Sequence, residues 1–173
     1  LCFILVAGTI DVLNFLPYAN QPIPDYINQD NTPPDNPITN PAATLGRVLF
    51  YDKKLSVNNT VSCASCHQQE FAFTDTARLS LGFNGQLTGR HSMRLSHSRF
   101  GAEEKFFWDE RAASLEEQTT HPIHSEVEMG FDGMNGADID SLIRKMEQID
   151  YYQRLFPLAF GDAMITEDRI QKA

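Results

Sequence analysis

Cys63-Ala64-Ser65-Cys66-His67 is a C-x-x-C-H motif, and no other segment of the 173 residues states its chemistry so directly. Two thiols three residues apart can each add across a vinyl group of haem. The histidine that follows then reaches the iron as proximal axial ligand. This spacing suits one turn of helix along the porphyrin edge. A redox dithiol or half of a zinc site would use the same cysteines. A zinc site needs a second ligand pair at suitable spacing, and the chain has no second C-x-x-C. A thioredoxin-like dithiol follows a strand in a βαβ pattern, which is absent here. The motif therefore predicts one covalently bound haem c, attached through Cys63 and Cys66, with His67 as axial ligand to the iron.

The elements that must position this motif read as helices joined by long loops. Residues 20 to 40 are rich in Pro, Asn and Asp and predict an extended, turn-rich arm. Asn40 reads as a helix cap with Pro41 in the first turn. Ala42 to Tyr51 follows as an amphipathic helix with Leu45, Val48, Leu49 and Phe50 inward. A loop with an Asn58-Asn59 turn leads to the haem motif, itself a short helix. Residues 74 to 105 show weak periodicity and many Gly, Ser and Thr, and predict mostly loop. Ser114 caps a helix from Leu115 to about Thr120, with Pro122 ending it. Asp138 caps the clearest helix, Ile139 to about Ile149, with Leu142, Ile143, Met146 and Ile149 on one face. Tyr151 to Phe160 is a further short helix closed by Gly161, and Thr166 caps a last one. The fold class is all-α: a cytochrome c-like haem domain with long ordered loops, which a cofactor could order.

Composition narrows the partners. The formal charge is −9, which argues against nucleic acid and a polybasic membrane surface as partners and suits either a small basic electron carrier or simply solubility. Of the three cysteines only Cys2 lies outside the motif. It sits in Leu1 to Gly8, which reads as the remnant of a signal-peptide apolar region, with Val6-Ala7-Gly8 as a cleavage region. Residues 1–19 are thus read as that remnant plus the mature N-terminus, 20–40 as the arm and 41–173 as the haem domain. Export to the periplasm agrees with a haem attached outside the cytoplasm. The helix after Thr166 stops without an exit signal, which predicts that the parent protein continues.

Several segments together resemble one family, the bacterial di-haem cytochrome c peroxidases, which include the MauG-type enzymes. They are Leu45 to Asp52 before Val61 to His67, Phe71 to Asp75, Phe106 to Ala112, Ser114 to Gln118, and Val127 to Gly130. Their order and spacing carry the resemblance from about Asn40 to Ala173. The family has two haem domains in tandem, and this chain resembles the N-terminal one, where peroxide reacts. The resemblance implies a second haem domain in the same parent chain. It also implies hydrogen peroxide as substrate and a small cytochrome or cupredoxin as electron donor. A homodimer is compatible with the sequence, which does not fix the oligomeric state.

The resemblance also implies roles for single residues. Glu128 matches the family's catalytic glutamate. Heterolysis of peroxide wants one group to take a proton from the near oxygen and return it to the far one, and a carboxylate in a partly dry pocket can do both. Glu126 reads as a solvated loop residue. Gln118 matches a glutamine lining the same pocket. Trp108, the only tryptophan, matches an aromatic relay between the haems, and packing alone would also account for it. Arg111 is placed to pair with a haem propionate, or instead with Asp109 or Glu110. Phe71 and Phe73 are expected against the porphyrin.

Three departures from the family pattern matter. In many members a second histidine blocks the peroxidatic iron at rest; Phe83 in Ser80-Leu81-Gly82-Phe83 stands in its place, and phenylalanine cannot ligate iron. His91, His97, His121 and His124 are the remaining imidazoles that could. His91 stands where the family commonly has an asparagine on a calcium ion; imidazole is a poor calcium ligand, which puts calcium in doubt. Glu110 replaces a usual glycine and is expected to alter only the surface. The leading function is reduction of hydrogen peroxide to water. The rivals are a MauG-type oxidase acting on a protein or small molecule, and a non-enzymatic c-type electron carrier with Met93 or Met129 as sixth ligand.

Overall fold

The computed structural model describes residues 14–101 and 105–173. The apolar run Leu1 to Gly8 and Cys2 lie outside the described residues. Six α-helices follow in order: α1 (Asn40–Tyr51), α2 (Cys63–Cys66), α3 (Leu115–His124), α4 (Ile139–Glu147), α5 (Asp150–Phe160) and α6 (Glu167–Lys172). Among the described residues β-pairing is limited to the isolated bridges Gln68–Thr74, Leu81–Leu87 and Phe106–Ala112. The all-α expectation holds. No helix among the described residues is long and apolar enough to cross a membrane.

At the starts of α1, α3, α4 and α6 a side chain accepts an orphan amide proton, whereas α5 starts after Ile149 with no side-chain cap. Thr39, not Asn40, caps α1: its hydroxyl accepts the Ala42 N–H at 3.2 Å, and Asn40 instead accepts the Ala19 N–H at 2.8 Å. Pro41 remains in the first turn, where its missing N–H costs nothing. Ser114 accepts from Glu117 N–H at 3.1 Å, and the Glu117 carboxylate accepts from Ala113 N–H at 2.8 Å. Asp138 and Ser141 form a reciprocal capping box on α4.

Pro122 does not end α3. The helix runs on to His124 with one rung missing, because proline has no N–H for the Gln118 carbonyl. Ile123, 1% exposed, anchors the extra turn in the core, and Phe131 N–H bonds the Ile123 carbonyl at 2.9 Å. α4 stops at Glu147, and Ile149 becomes the residue that leads into α5. Gly161, with φ +89°, closes α5 in the left-handed conformation glycine adopts freely.

The core is one cluster. Leu45 and Leu49 of α1 meet Leu142 and Met146 of α4, Tyr152, Leu155 and Phe156 of α5, and Ile170 of α6. Cys63 of α2 packs against its edge, so the haem motif is seated directly on the hydrophobic core. The arm is strapped to the far loop: Asn31 N–H bonds the Arg99 carbonyl at 2.9 Å, and Asp30 pairs with the Arg99 guanidinium.

Residues 74 to 101 are mostly irregular, as the sequence predicts, and are held by polar bonds and close backbone approach. A Cβ on Gly82 would lie 1.7 Å from the Val127 carbonyl oxygen, and one on Gly130 would lie 2.6 Å from the Phe83 ring. These two glycines let the Ser80–Thr88 loop lie flat on the 125–130 turn. Gly82→Ala should destabilise the protein by about 1–3 kcal/mol, the usual cost of overpacking, read as a lower urea midpoint at unchanged slope.

Candidate functional site

α2 holds Cys63 and Cys66 one turn apart, both as free thiols. Ser62 and Ser65 form a capping box at its start, which fixes a helix of only four residues. Burial pushes the Cys63 thiol up to about 11. Burial also raises Cys66, against a hydrogen bond from Ser80. A redox dithiol works through a lowered thiol pKa, and burial acts the other way on both cysteines here. Among the described residues no group of three or more His, Cys, Asp or Glu could hold a metal ion.

His67 follows at the end of α2. Its Nδ1 lies 2.9 Å from the Phe73 carbonyl oxygen. A carbonyl only accepts, so Nδ1 carries the proton and Nε2 is left with its lone pair to offer. This is the outer bond that orients a metal-ligating histidine. Ala72 and Phe73 make it possible by adopting φ +57° and φ +60°, which turns the Phe73 carbonyl back toward His67. The Phe73 ring stands edge-on to Phe50, 5.9 Å between centroids. Phe71 is exposed. The residues present fit a c-type haem: two protonated thiols in register, and an imidazole with one nitrogen oriented and the other free.

Glu128 lies in the 125–130 turn, whose backbone is gathered by Ser125: its hydroxyl accepts from Val127 and Glu128 N–H, and its carbonyl from Gly130 N–H at 2.8 Å. Burial raises the Glu128 carboxyl above the ordinary glutamate range, and the Arg111 charge works against the rise. Its charge is in turn felt by both Cys63 and Cys66. The fold thus brings Glu128, Arg111 and the C-x-x-C-H cysteines to one place. Glu126 is exposed, as read from the sequence.

Phe83 is fixed beside Glu128. Its N–H bonds the Glu128 carbonyl at 3.1 Å, and its own carbonyl accepts from Asn58 at 2.7 Å and Thr60 at 3.0 Å. Gln118 lies half-buried on α3, and its side chain makes no hydrogen bond within the described residues. Arg111 pairs with Asp109 at 2.8 Å and lays its guanidinium 3.6 Å from the centre of the Phe107 ring. Met129, a sixth-ligand candidate of the electron-carrier reading, is 3% exposed within the hydrophobic core.

Trp108 is 61% exposed, and its indole N–H is tied to the His91 carbonyl at 3.1 Å. The His91 ring is committed too, with Nδ1 2.9 Å from the Ala77 carbonyl and Nε2 3.2 Å from the Thr74 hydroxyl. His91 therefore bridges loop segments through its ring and holds Trp108 through its backbone. His124 is held by Glu167 at 2.7 Å and His121 lies against Phe107. Glu110 is exposed, as expected of a surface change, and its backbone adds a cost that the sequence does not reveal. Its φ of +56° is a left-handed conformation costing a non-glycine residue roughly 1–2 kcal/mol, which explains a glycine at this point of the turn.

Sequence reasoning missed the Phe73 carbonyl, Ser80 and Asp75. Ser80 bonds Asp75 at 2.6 Å and Ser92 at 3.0 Å beneath Cys66. Nothing in the residue types of Ala72 and Phe73 signals the left-handed pair that aims the carbonyl.

All-α architecture with a haem-type C-x-x-C-H seated on the core defines a c-type cytochrome class. The comparisons specify it: residues 40–173 match the model of the di-haem cytochrome c peroxidase family (CCP_MauG), and the chain belongs to that family. It is 33% identical over 173 residues to the methylamine utilization protein MauG of Methylophilus methylotrophus, covering 98% of this chain and 49% of that protein. It is 32% identical over 131 residues to the cytochrome c551 peroxidase of Nitrosomonas europaea, covering 76% and 37%. A solved MauG-like protein associated with microbial copper homeostasis superposes with TM-score 0.75 at 32% identity, covering 88% of this chain and 45% of that one. The chain thus spans about half the length, or less, of the relatives it matches.

Replacing His91 by alanine keeps the carbonyl that Trp108 bonds but removes the two ring bonds that fix this stretch of backbone, so Trp108 should be held less firmly. Trp108 is the only tryptophan, so its emission reports directly. Iodide quenching should rise, with a loss of about 1–3 kcal/mol in stability as both ring bonds go.

Proposed function

We propose that this chain forms the peroxide-reacting haem domain of a periplasmic di-haem enzyme that reduces hydrogen peroxide to water. The electrons come from a small cytochrome or cupredoxin through a second haem domain. The observation that carries this reading is the half-buried Glu128, whose carboxyl pKa desolvation raises and whose charge both cysteines of C-x-x-C-H feel.

Haem held by Cys63, Cys66 and His67 supplies a redox-active iron that binds and reduces peroxide. The chain's own residues do the rest. His67, fixed by the Phe73 carbonyl, presents Nε2 to the iron as an imidazole of set tautomer and orientation. Glu128 takes a proton from the near oxygen of peroxide on one carboxylate oxygen and returns it to the far oxygen, which leaves as water. Gln118 orients peroxide or water with its amide. Arg111 holds a propionate and lowers the energy of the Glu128 carboxylate by its charge. Trp108, exposed and held at Nε1, passes electrons from the second domain. Phe83 fills the place of a blocking histidine.

A second reading, a MauG-type oxidase acting on a protein or small molecule, gains from Phe83, because peroxide then needs no reductive opening of the site. It uses the same residues and differs only in where the oxidising equivalents go.

Glu128→Gln should leave haem content and spin state unchanged while slowing oxidation of the haem by peroxide about 10²–10⁴-fold in stopped-flow mixing. The carboxylate form takes the proton, and burial raises its pKa. The wild-type rate should therefore fall as pH drops through a value above the ordinary glutamate range, and the variant should lose that limb. The ferric protein should also be high-spin as isolated and react with peroxide without prior reduction. A low-spin bis-histidine spectrum inert to peroxide would remove Phe83 from this account.

A further inference from the structure

Against the core cluster on which the haem motif is seated lies a second set of oxidisable side chains. Tyr152 is fully buried, and its hydroxyl donates to Asp52 Oδ2 at 2.7 Å. Tyr151, half-buried at the surface, donates to the same oxygen at 2.5 Å. The two rings lie 4.7 Å apart between centroids. Asp52 is held in place by accepting the Lys54 N–H at 2.9 Å on its other oxygen. Cys63, whose sulfur would carry the thioether to haem, packs against the core cluster that contains Tyr152, and Tyr151 packs on that cluster's rim. One carboxylate thus joins a buried phenol beside the cofactor attachment to a phenol at solvent.

From this arrangement we infer that Tyr152, Asp52 and Tyr151 form an exit for oxidising equivalents, leading from the haem edge to the surface by a route separate from Trp108. This rests on the peroxide-reacting haem reading above. In the first step Tyr152 gives one electron to the peroxide-oxidised haem centre and its phenolic proton to Asp52 Oδ2. That leaves a neutral tyrosyl radical, a carboxylic acid and a haem centre reduced by one electron. In the second step Tyr151 gives one electron to Tyr152. Asp52 returns its proton to the Tyr152 oxygen and takes that of Tyr151, so the radical now sits at Tyr151. An enediol or phenolic reductant in solvent then supplies one electron, and Asp52 returns the proton.

Three features favour coupled loss of proton and electron. Lys54 Nζ lies 5.0 Å from the Tyr151 ring centre, and a cation there penalises a radical cation. Burial and the Asp52 carboxylate raise both phenols above their ordinary pKa, which closes the route through free tyrosinate. The carboxylate that blocks simple ionisation is also the base that can take the proton as the electron leaves. The exit serves the enzyme when no donor is bound, by draining oxidising equivalents before they attack the haem surroundings.

The test uses the full-length haem-loaded protein with ring-deuterated tyrosine, mixed with one equivalent of peroxide and frozen for electron paramagnetic resonance. A tyrosyl signal that narrows on deuteration is expected. It should fall at least fivefold in Tyr152→Phe, stay as a buried signal insensitive to ascorbate in Tyr151→Phe, and persist in the remote control Tyr26→Phe. Phenylalanine keeps the rings and the packing, and an unchanged haem spectrum confirms folding. Asp52→Asn, which cannot take the proton, should suppress the signal as strongly as Tyr152→Phe. A radical unaffected by Tyr152→Phe, or confined to tryptophan while the haem is visibly oxidised by peroxide, overturns the exit but leaves the peroxide reaction standing. A haem spectrum that peroxide does not change overturns both.

Discussion

The bond from His67 Nδ1 to the Phe73 carbonyl is the constraint on which the rest of the site depends. It fixes the tautomer and the plane of the imidazole, and so the direction in which Nε2 faces. It also sets the path of the chain. To bring that carbonyl round, Ala72 and Phe73 turn left-handed, Gln68 and Thr74 pair across the turn, and the Thr74 hydroxyl then meets His91 and the Ser92 carbonyl. His91 in turn holds the indole of Trp108. A single proximal hydrogen bond is therefore continuous, through five polar contacts or fewer, with the aromatic residue on the exposed face.

A second constraint acts from the opposite side. Glu128 is partly desolvated, and the fold achieves this with close backbone approach rather than with apolar bulk alone. Gly82 and Gly130 allow two loops to touch, and the Phe83 ring seals the contact. The Arg111 charge keeps the carboxyl from being driven too far toward its neutral form.

Much of this was legible in the residues. The C-x-x-C-H spacing names the cofactor chemistry, and the periodicity of Leu45, Leu49, Leu142 and Met146 names the core that carries it. Glu128 stood out by resemblance, and the structure gives it a desolvated setting. The misreadings have physical causes. Pro122 was read as a stop, yet a proline removes only one rung when the next residue, Ile123, has a core to enter. Thr39 and Asn40 are both good caps, and tertiary bonding to Ala19 decided between them. His91 reads from the sequence more readily as a loop-bonding histidine than as a ligand, but its particular partners Thr74, Ala77 and Trp108 are long-range, and no local pattern encodes them. Main-chain contributors such as the Phe73 carbonyl are invisible to any reading by residue type.

Besides Asn59 and several glycines, the left-handed residues among those described are Ala72, Phe73, His97, Phe107 and Glu110. This shapes how such a sequence can change over generations. At these positions β-branched residues are nearly excluded by backbone sterics, while glycine, asparagine and aspartate are admitted at little cost. Neutral drift along the lineage should therefore run toward small or amide side chains at positions whose present occupants advertise no such restriction. A substitution such as Phe107 to valine would be counted conservative by hydrophobicity and would still be purged, because selection there acts on a torsion angle rather than on a side chain.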